Sequence, residues 1–217
     1  SRHTATGTAT DGKNSTDQSV TVTVTDVDDV APVFTSSATF SAAENQTAID
    51  TVTATDVDTD NSAITFTVSG SELLITSAGV LTFASAPDYE AKSSYTASLT
   101  ATDGTNSSTQ SITVNVTNVN DNSPAFTSSA TFSADENQTS IGTVTATDGD
   151  ASDSVTFTVP GSELSITSAG VLTFVSAPDY ETKSSYTATV TATDGTNSTD
   201  QSVTVTVTDV DDEAPVF

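Results

Sequence analysis

The sequence predicts an all-β chain of tandem sandwiches, each about 90 residues long. Three observations carry that prediction. Long stretches return almost unchanged after 91 or 92 residues. Apolar residues alternate with Ser and Thr at a period of two, the signature of half-buried strands. Gly-containing turn signals cut the chain into short segments, and none shows the 3.6-residue period of a helix.

The repeat sets the organisation. Ala31-Pro32-Val33-Phe34 returns as Ser123-Pro124-Ala125-Phe126 and again as Ala214-Pro215-Val216-Phe217. FTSSATFSA occurs at 34–42 and at 126–134. Residues 77–97 match 168–188, and residues 8–29 match 191–212, with few differences. A period this long exceeds a solenoid unit and suits a self-contained domain. The predicted order is the last strands of one repeat (1–30), a complete repeat (31–122), a second (123–213) and the start of another (214–217).

Within a repeat the strands follow one another in order. The first is the stretch from Phe34 to Ser41. In 47–56, Ile49, Val52 and Ala54 give a strand with a slip or bulge. ITFTV (64–68), LLI (73–75) and VLTF (80–83) are shorter strands. In 94–103, Tyr95, Ala97, Leu99 and Ala101 share one face, and in 111–119 Ile112, Val114 and Val116 do so. Ser69-Gly70, Ala78-Gly79 and Asp103-Gly104 mark turns. Seven short strands in such a length predict a Greek-key, immunoglobulin-like sandwich, repeated end to end. With only 34% hydrophobic residues the core is lean. Phe40, Phe66, Phe83 and Tyr95, with Phe132, Phe157, Phe174 and Tyr186, are expected to supply most of its buried area.

Composition narrows the function classes. The 217 residues carry 29 Asp and Glu against 4 Lys and Arg, a net charge of -25. Nucleic-acid binding and attachment to anionic membrane surfaces both need a basic face, so neither fits. No apolar run reaches the ~18 residues of a membrane-spanning helix, so direct membrane insertion is not expected. Without Cys there is no disulfide, thiolate metal site or Cys nucleophile. His3 is the sole His and no Gly-x-Ser-x-Gly occurs, so an enzyme is not expected. Asp88 and Glu90 sit on one short segment rather than across a cleft, unlike a glycosidase pair. Asn14, Asn45, Asn106, Asn115, Asn137 and Asn197 begin N-x-Ser/Thr sequons, which a chain about one-third Ser and Thr produces by chance.

The carboxylates cluster by position. Around the middle linker stand Glu44, Asp88 and Glu90, then Asn118, Asn120, Asp121 and Asn122, then Asp148, Asp150 and Asp194. In Asp88-Tyr89-Glu90 and Asp148-Gly149-Asp150 the i, i+2 spacing in extended chain would put both acids on one side, with Tyr89 turned to the core. Two such charges about 5 Å apart repel by roughly 3 kcal/mol at an effective dielectric near 20. Seven carboxylates gathered without Lys or Arg need cations, and an all-oxygen donor set suits Ca2+ better than Mg2+. About three Ca2+ ions would nearly cancel the charge.

At these residues the chain resembles cadherin repeats. The shared motifs are Glu44-Asn45 and Glu136-Asn137, and Asp-x-Asp at Asp56/Asp58 and Asp148/Asp150. Asp-x-Glu at Asp88/Glu90 and Asp179/Glu181 and the linker 118–126 complete the pattern. The resemblance implies a first ion held by Glu44, Asp88, Glu90 and Asp121. It implies a second held by Glu44, Glu90, Asp121, Asp150 and the Val119 carbonyl, with Asn118 in place of the family's Asp. A third would be held by Asn120, Asp148, Asp150, Asp194 and the Asn122 carbonyl. The outer linkers carry Asp26, Asp28 and Asp29, and Asp209, Asp211 and Asp212, where the family often has Asn. Asp28, Asp56, Asp58 and Asp103 could hold one ion, while Glu136, Asp179, Glu181 and Asp212 would await a following repeat. Near-identical, Thr-rich, Cys-free neighbours resemble the cadherin-like repeats of large bacterial surface adhesins.

The expected function is therefore a calcium-rigidified extracellular spacer or filament on a cell surface, whose partners are further copies of the repeat in cis. The alternative is a calcium-dependent module that binds carbohydrate, or like chains in trans. Residues 1–29 hold two strands only, and His3 and Gly7 stand where the last repeat has Tyr186 and Val190. That weakened face is read as a slice of a longer polymer, with strands from a neighbouring chain as the other reading.

Overall fold

In a computed structural model, residues 2–25, 27–58, 61–150 and 154–212 are described, without the side chain of Ser62. The chain forms two compact units, Ser1–Thr117 and Asn118–Phe217.

The first unit opens with β1 (Arg2–Thr10) and β2 (Ser15–Thr23), an antiparallel hairpin exposed along its whole length. The sandwich follows. Its strands are β3 (Val33–Phe34), β4 (Thr39–Ala43), β5 (Ala48–Thr51), β6 (Ala54–Thr55), β7 (Thr65–Val68), β8 (Leu73–Ile75), β9 (Val80–Phe83), β10 (Ser94–Thr102) and β11 (Ser107–Thr117). One sheet runs β4-β11-β10-β7, the other β5-β9-β8, and β3 pairs with β6. β4 lies parallel to β11 and the other pairs are antiparallel. The slip expected near Ile49 is present: the β5–β9 register shifts between Ala48 and Asp50, and the strand breaks before β6. Among the described residues the one helical piece is a 3-10 turn, Asn61–Ala63.

The second unit repeats the plan with β12 (Ala125–Phe126), β13 (Thr131–Asp135), β14 (Ser140–Thr143), β15 (Ala146–Thr147), β16 (Thr156–Thr158), β17 (Leu164–Ile166), β18 (Val171–Phe174), β19 (Ser185–Thr193) and β20 (Ser198–Thr208). Its sheets run β13-β20-β19-β16 and β14-β18-β17, with β12 on β15.

Alternation places the core as expected. Ile112, Val114 and Val116 are buried on β11, and Leu99 and Ala101 on β10. Of the expected aromatics Phe40, Phe66, Phe83, Phe157 and Phe174 are buried, and Tyr95, Phe132 and Tyr186 are partly buried and packed against the core. The fully enclosed centre is mostly aliphatic: Leu73, Leu81, Leu99 and Val114 in one unit, Leu172, Val190, Val203 and Val205 in the other. The ring of Tyr95 meets Phe83 edge-on at 5.1 Å and carries the Lys92 ammonium 4.3 Å above it; Tyr186, Phe174 and Lys183 repeat the arrangement. One glycine per repeat is sterically required. A Cβ on Gly79 or Gly170 would lie 2.2 Å from the carbonyl oxygen of Val52 or Val144, and both glycines have left-handed φ.

Candidate metal centre

Each unit gathers groups of acids in its loops, while Asp17, Asp50, Asp135 and Asp200 stand on strands, and each group can be built up within its own unit. At the carboxyl end of the second unit the sequence Glu136-Asn137 leaves β13. Asn137 takes a left-handed φ of 63°, a conformation Asn tolerates better than most residues. The turn directs Glu136 inward, where it is 4% exposed. Its Oε2 accepts the Tyr180 N–H at 2.8 Å and its Oε1 accepts the Val210 N–H at 2.8 Å. Carboxylate oxygens of Glu136, Glu181 and Asp212 come within 4.8 Å of one another. Among the described residues no Lys or Arg makes an ion pair with this group. The electrostatic consequence falls on Glu181. Its own backbone N–H draws the carboxyl down, but burial and the charges of Glu136, Asp209 and Asp179 push it above the ordinary range. Asp179 moves the other way, because the Thr182 hydroxyl and N–H hold its carboxylate.

The first unit carries the same scaffold on Glu44, Asp88 and Glu90. Asn45 has φ 62°, Glu44 is 3% exposed, and Glu44 Oε2 accepts the Tyr89 N–H at 2.7 Å. The extended Asp-x-Glu expected from the sequence is instead a turn. Asp88 Oδ1 accepts the Ala91 N–H, and the Asp88 carbonyl accepts that of Lys92. Asp88 after Pro87 is a strong turn former, and its side chain closes the turn on itself. Tyr89 packs against the core as expected, whereas its counterpart Tyr180 is 38% exposed.

The amino end of the second unit is assembled from the linker, the bend after β15 and the β19–β20 turn. Asp148-Gly149-Asp150 is also bent, not extended, because Asp148 Oδ1 accepts the Asp150 N–H at 3.0 Å. The bend buries Asp150 to 2% exposure. Asp150 Oδ2 then accepts the N–H groups of Asp121 (3.2 Å) and Asn122 (2.9 Å), which fastens the linker. A Cβ on Gly149 would stand 3.0 Å from the Asn122 side chain, so glycine lets the linker approach. Asp194 Oδ1 accepts the N–H groups of Thr196 and Asn197, both at 2.6 Å. Burial raises the Asp194 carboxyl, and these bonds with those from the Asn197 and Asn120 side chains outweigh it, so it titrates low. Asp148 Oδ2 and Asn118 Oδ1 are buried without a hydrogen-bond partner. Val119, in the same linker, is exposed.

In the first unit Asp58 does the work of Asp150, accepting from the N–H groups of Asp29 (3.0 Å) and Val30 (3.1 Å). Asp56 Oδ1 accepts from Asp58, and Asp103 Oδ1 from Thr105 and Asn106. Asp103 Oδ2 is buried without a partner, and Asp28 meets the Asn106 amide. Asp26 lies outside the described residues; Asp209 and Asp211 are exposed. Asn106 and Asn197, which the sequence marks only as sequons, also donate to the linker. Their signal was the repeated Asp-Gly-x-Asn.

An all-oxygen, net-anionic donor set with buried oxygens lacking donors fits a hard divalent cation. Comparison with known proteins gives the setting. Residues 28–117 match the bacterial Ig domain model. The chain is 32% identical over 227 residues to the cadherin EGF LAG seven-pass G-type receptor 1 of Mus musculus, an alignment covering 94% of this chain and 7% of the receptor. The chain is built of cadherin repeats. It is likewise 34% identical to the protocadherin-like wing polarity protein stan of Drosophila melanogaster, over 94% of this chain and 6% of that protein. The solved extracellular domain of protocadherin GammaB4 superposes with a TM-score of 0.79 at 27% identity, covering 100% of this chain and 38% of that one. The chain thus spans only 4–7% of the length of the first curated relatives it matches. These relatives are cadherins, not enzymes. Among the described residues no helix is long and apolar enough to cross a membrane.

Proposed function

We propose that the chain is a calcium-rigidified spacer of an extracellular surface adhesin, with repeats 31–122 and 123–213 flanked by parts of further copies at 1–30 and 214–217. Each repeat brings half a cation site to either end. Glu44, Asp88 and Glu90 form a carboxyl-end half, with linker residues Asn118 to Asn122. Asp148, Asp150 and Asp194 form the amino-end half that completes it, with about three Ca2+ ions per joint. The metal supplies positive charge that oxygens of both repeats can share, so binding energy becomes ordering energy. The observation that carries the reading is the Glu136–Glu181–Asp212 group: three carboxylates held within 4.8 Å with no cation among them.

Small-angle scattering of the chain with calcium and with chelator tests it. The maximum dimension and the rigidity of the particle are expected to fall on chelation, and Asp121→Ala is expected to weaken calcium binding most. An unchanged scattering curve, or an unaltered titration of Asp121→Ala, removes the reading. A second reading, recognition of carbohydrate or of like chains, is favoured by Tyr180, a largely apolar ring standing 38% exposed. A glycan array and sedimentation in calcium distinguish it.

A further inference from the structure

The β19–β20 turn places an amide in the middle of oxygens that the calcium reading assigns to the third ion. Asn197 Nδ2 lies 2.6 Å from Asn120 Oδ1, 2.8 Å from the Asn122 carbonyl oxygen, 3.3 Å from Asp194 Oδ2 and 3.5 Å from the Asn120 carbonyl oxygen. An amide nitrogen has two hydrogens, so four converging acceptors exceed what it can satisfy. Ca2+ takes such oxygens at roughly 2.3–2.6 Å. The nitrogen therefore stands close to where the ion would, and the two cannot coexist. Asp148 Oδ2, of the same proposed donor set, is buried and has no partner.

The first unit carries a looser version. Asn106 Nδ2 donates toward the Asp28 carbonyl oxygen at 3.3 Å and Asp28 Oδ1 at 3.2 Å, while Asp103 Oδ2 is left without a donor. Both come from one motif, Asp-Gly-Thr-Asn at 103–106 and 194–197. In each, the first Asp accepts the N–H of the Asn, which fixes the turn and aims the amide at the linker.

We infer that Asn197, and more weakly Asn106, is a displaceable plug: its side-chain amide stands in for the linker cation, holds the linker when the ion is absent, and must swing out when the ion enters. This rests on the calcium reading for what displaces the plug, but not for the latch itself. The plug keeps the ion-free linker ordered and lowers the apparent affinity of the third site, so that site fills last.

The test uses the whole chain as wild type, Asn197→Ala and Asn106→Ala. In calcium-free buffer, amide exchange at Asp121 and Asn122 is read by NMR, with protected β20 amides confirming that each variant is folded. Asn197→Ala is expected to speed that exchange about three- to tenfold, the loss of one net hydrogen bond or so. In calcium titrations the same variant is expected to tighten the weakest class of site by about the same factor, and Asn106→Ala to tighten its own site less. Unchanged exchange in a folded Asn197→Ala overturns the latch. Weaker calcium binding overturns displacement, since Asn197 would then be supporting the ion. If wild type binds no calcium, the spacer reading fails while the exchange measurement still decides whether the amide holds the linker. Should Asn197→Ala lose its β20 protection, Asn106→Ala carries the test, read at the Asp29 and Val30 amides.

Discussion

Residues 15–25 and 198–208 are the same eleven amino acids, STDQSVTVTVT, in two surroundings. Both form the second strand of an antiparallel hairpin in matching register: His3 faces Val22 as Tyr186 faces Val205. Their burial is opposite. Val20, Val22 and Val24 are 48%, 56% and 53% exposed, whereas Val203, Val205 and Val207 are 0%, 0% and 1% exposed. The later copy is paired in parallel with β13 and covered by the β14-β18-β17 sheet. Pairing is thus a local property of the hairpin, and burial is a property of what lies across from it.

Hydrogen exchange gives the largest expected contrast between the two copies. Amides of β20 open only with the whole sandwich, while those of β2 can open locally. Protection in β20 is expected to exceed that in β2 at least about a thousandfold, given an ordinary domain stability. Equal protection would show that β2 is covered in solution. Substitution gives a smaller effect. Val205→Ala removes two fully buried methyl groups and leaves a cavity, so it is expected to cost about 2 kcal/mol in chemical denaturation. Val22→Ala, in the same local sequence, is expected to stay within roughly 0.5 kcal/mol.

The smallest effect separates two carboxylates of one loop, Asp179 and Glu181. Glu181 is pushed up in the folded protein, so its ionised form costs stability above that raised value, and the cost is relieved as pH falls through it. Asp179 is held low, so its stabilisation is present above the ordinary carboxylate range and is lost as pH falls toward its folded value. In metal-free protein the melting temperature of the second repeat is therefore expected to rise slightly on acidification from neutrality, then fall. Glu181→Gln is expected to abolish the rise; a monotonic fall in wild type would contradict the crowding of Glu181 by Glu136, Asp209 and Asp179.

Much of the architecture was legible because period-two alternation and a long repeat are properties of the chain. Ile112, Val114 and Val116 declared their face, and the slip at Ile49 announced the bulge between Ala48 and Asp50. The acidic positions declared themselves as well. Their backbone conformation did not: Asp88 and Asp148 close turns on their own neighbours, where spacing alone suggested extended chain. Nor did Asn106 and Asn197, whose amides act on residues more than seventy positions away.

The repeats, the strands, their faces and the acidic loops follow from the chain alone, because each is fixed by alternation, turn chemistry or composition over a few neighbouring residues. Three-dimensional packing sets the rest: the tyrosines are only partly buried while aliphatic side chains fill the centre, and an asparagine amide stands among the oxygens of the linker. Those outcomes depend on groups far apart in the chain meeting across a sandwich, and burial, desolvation and charge crowding exist only once they have met.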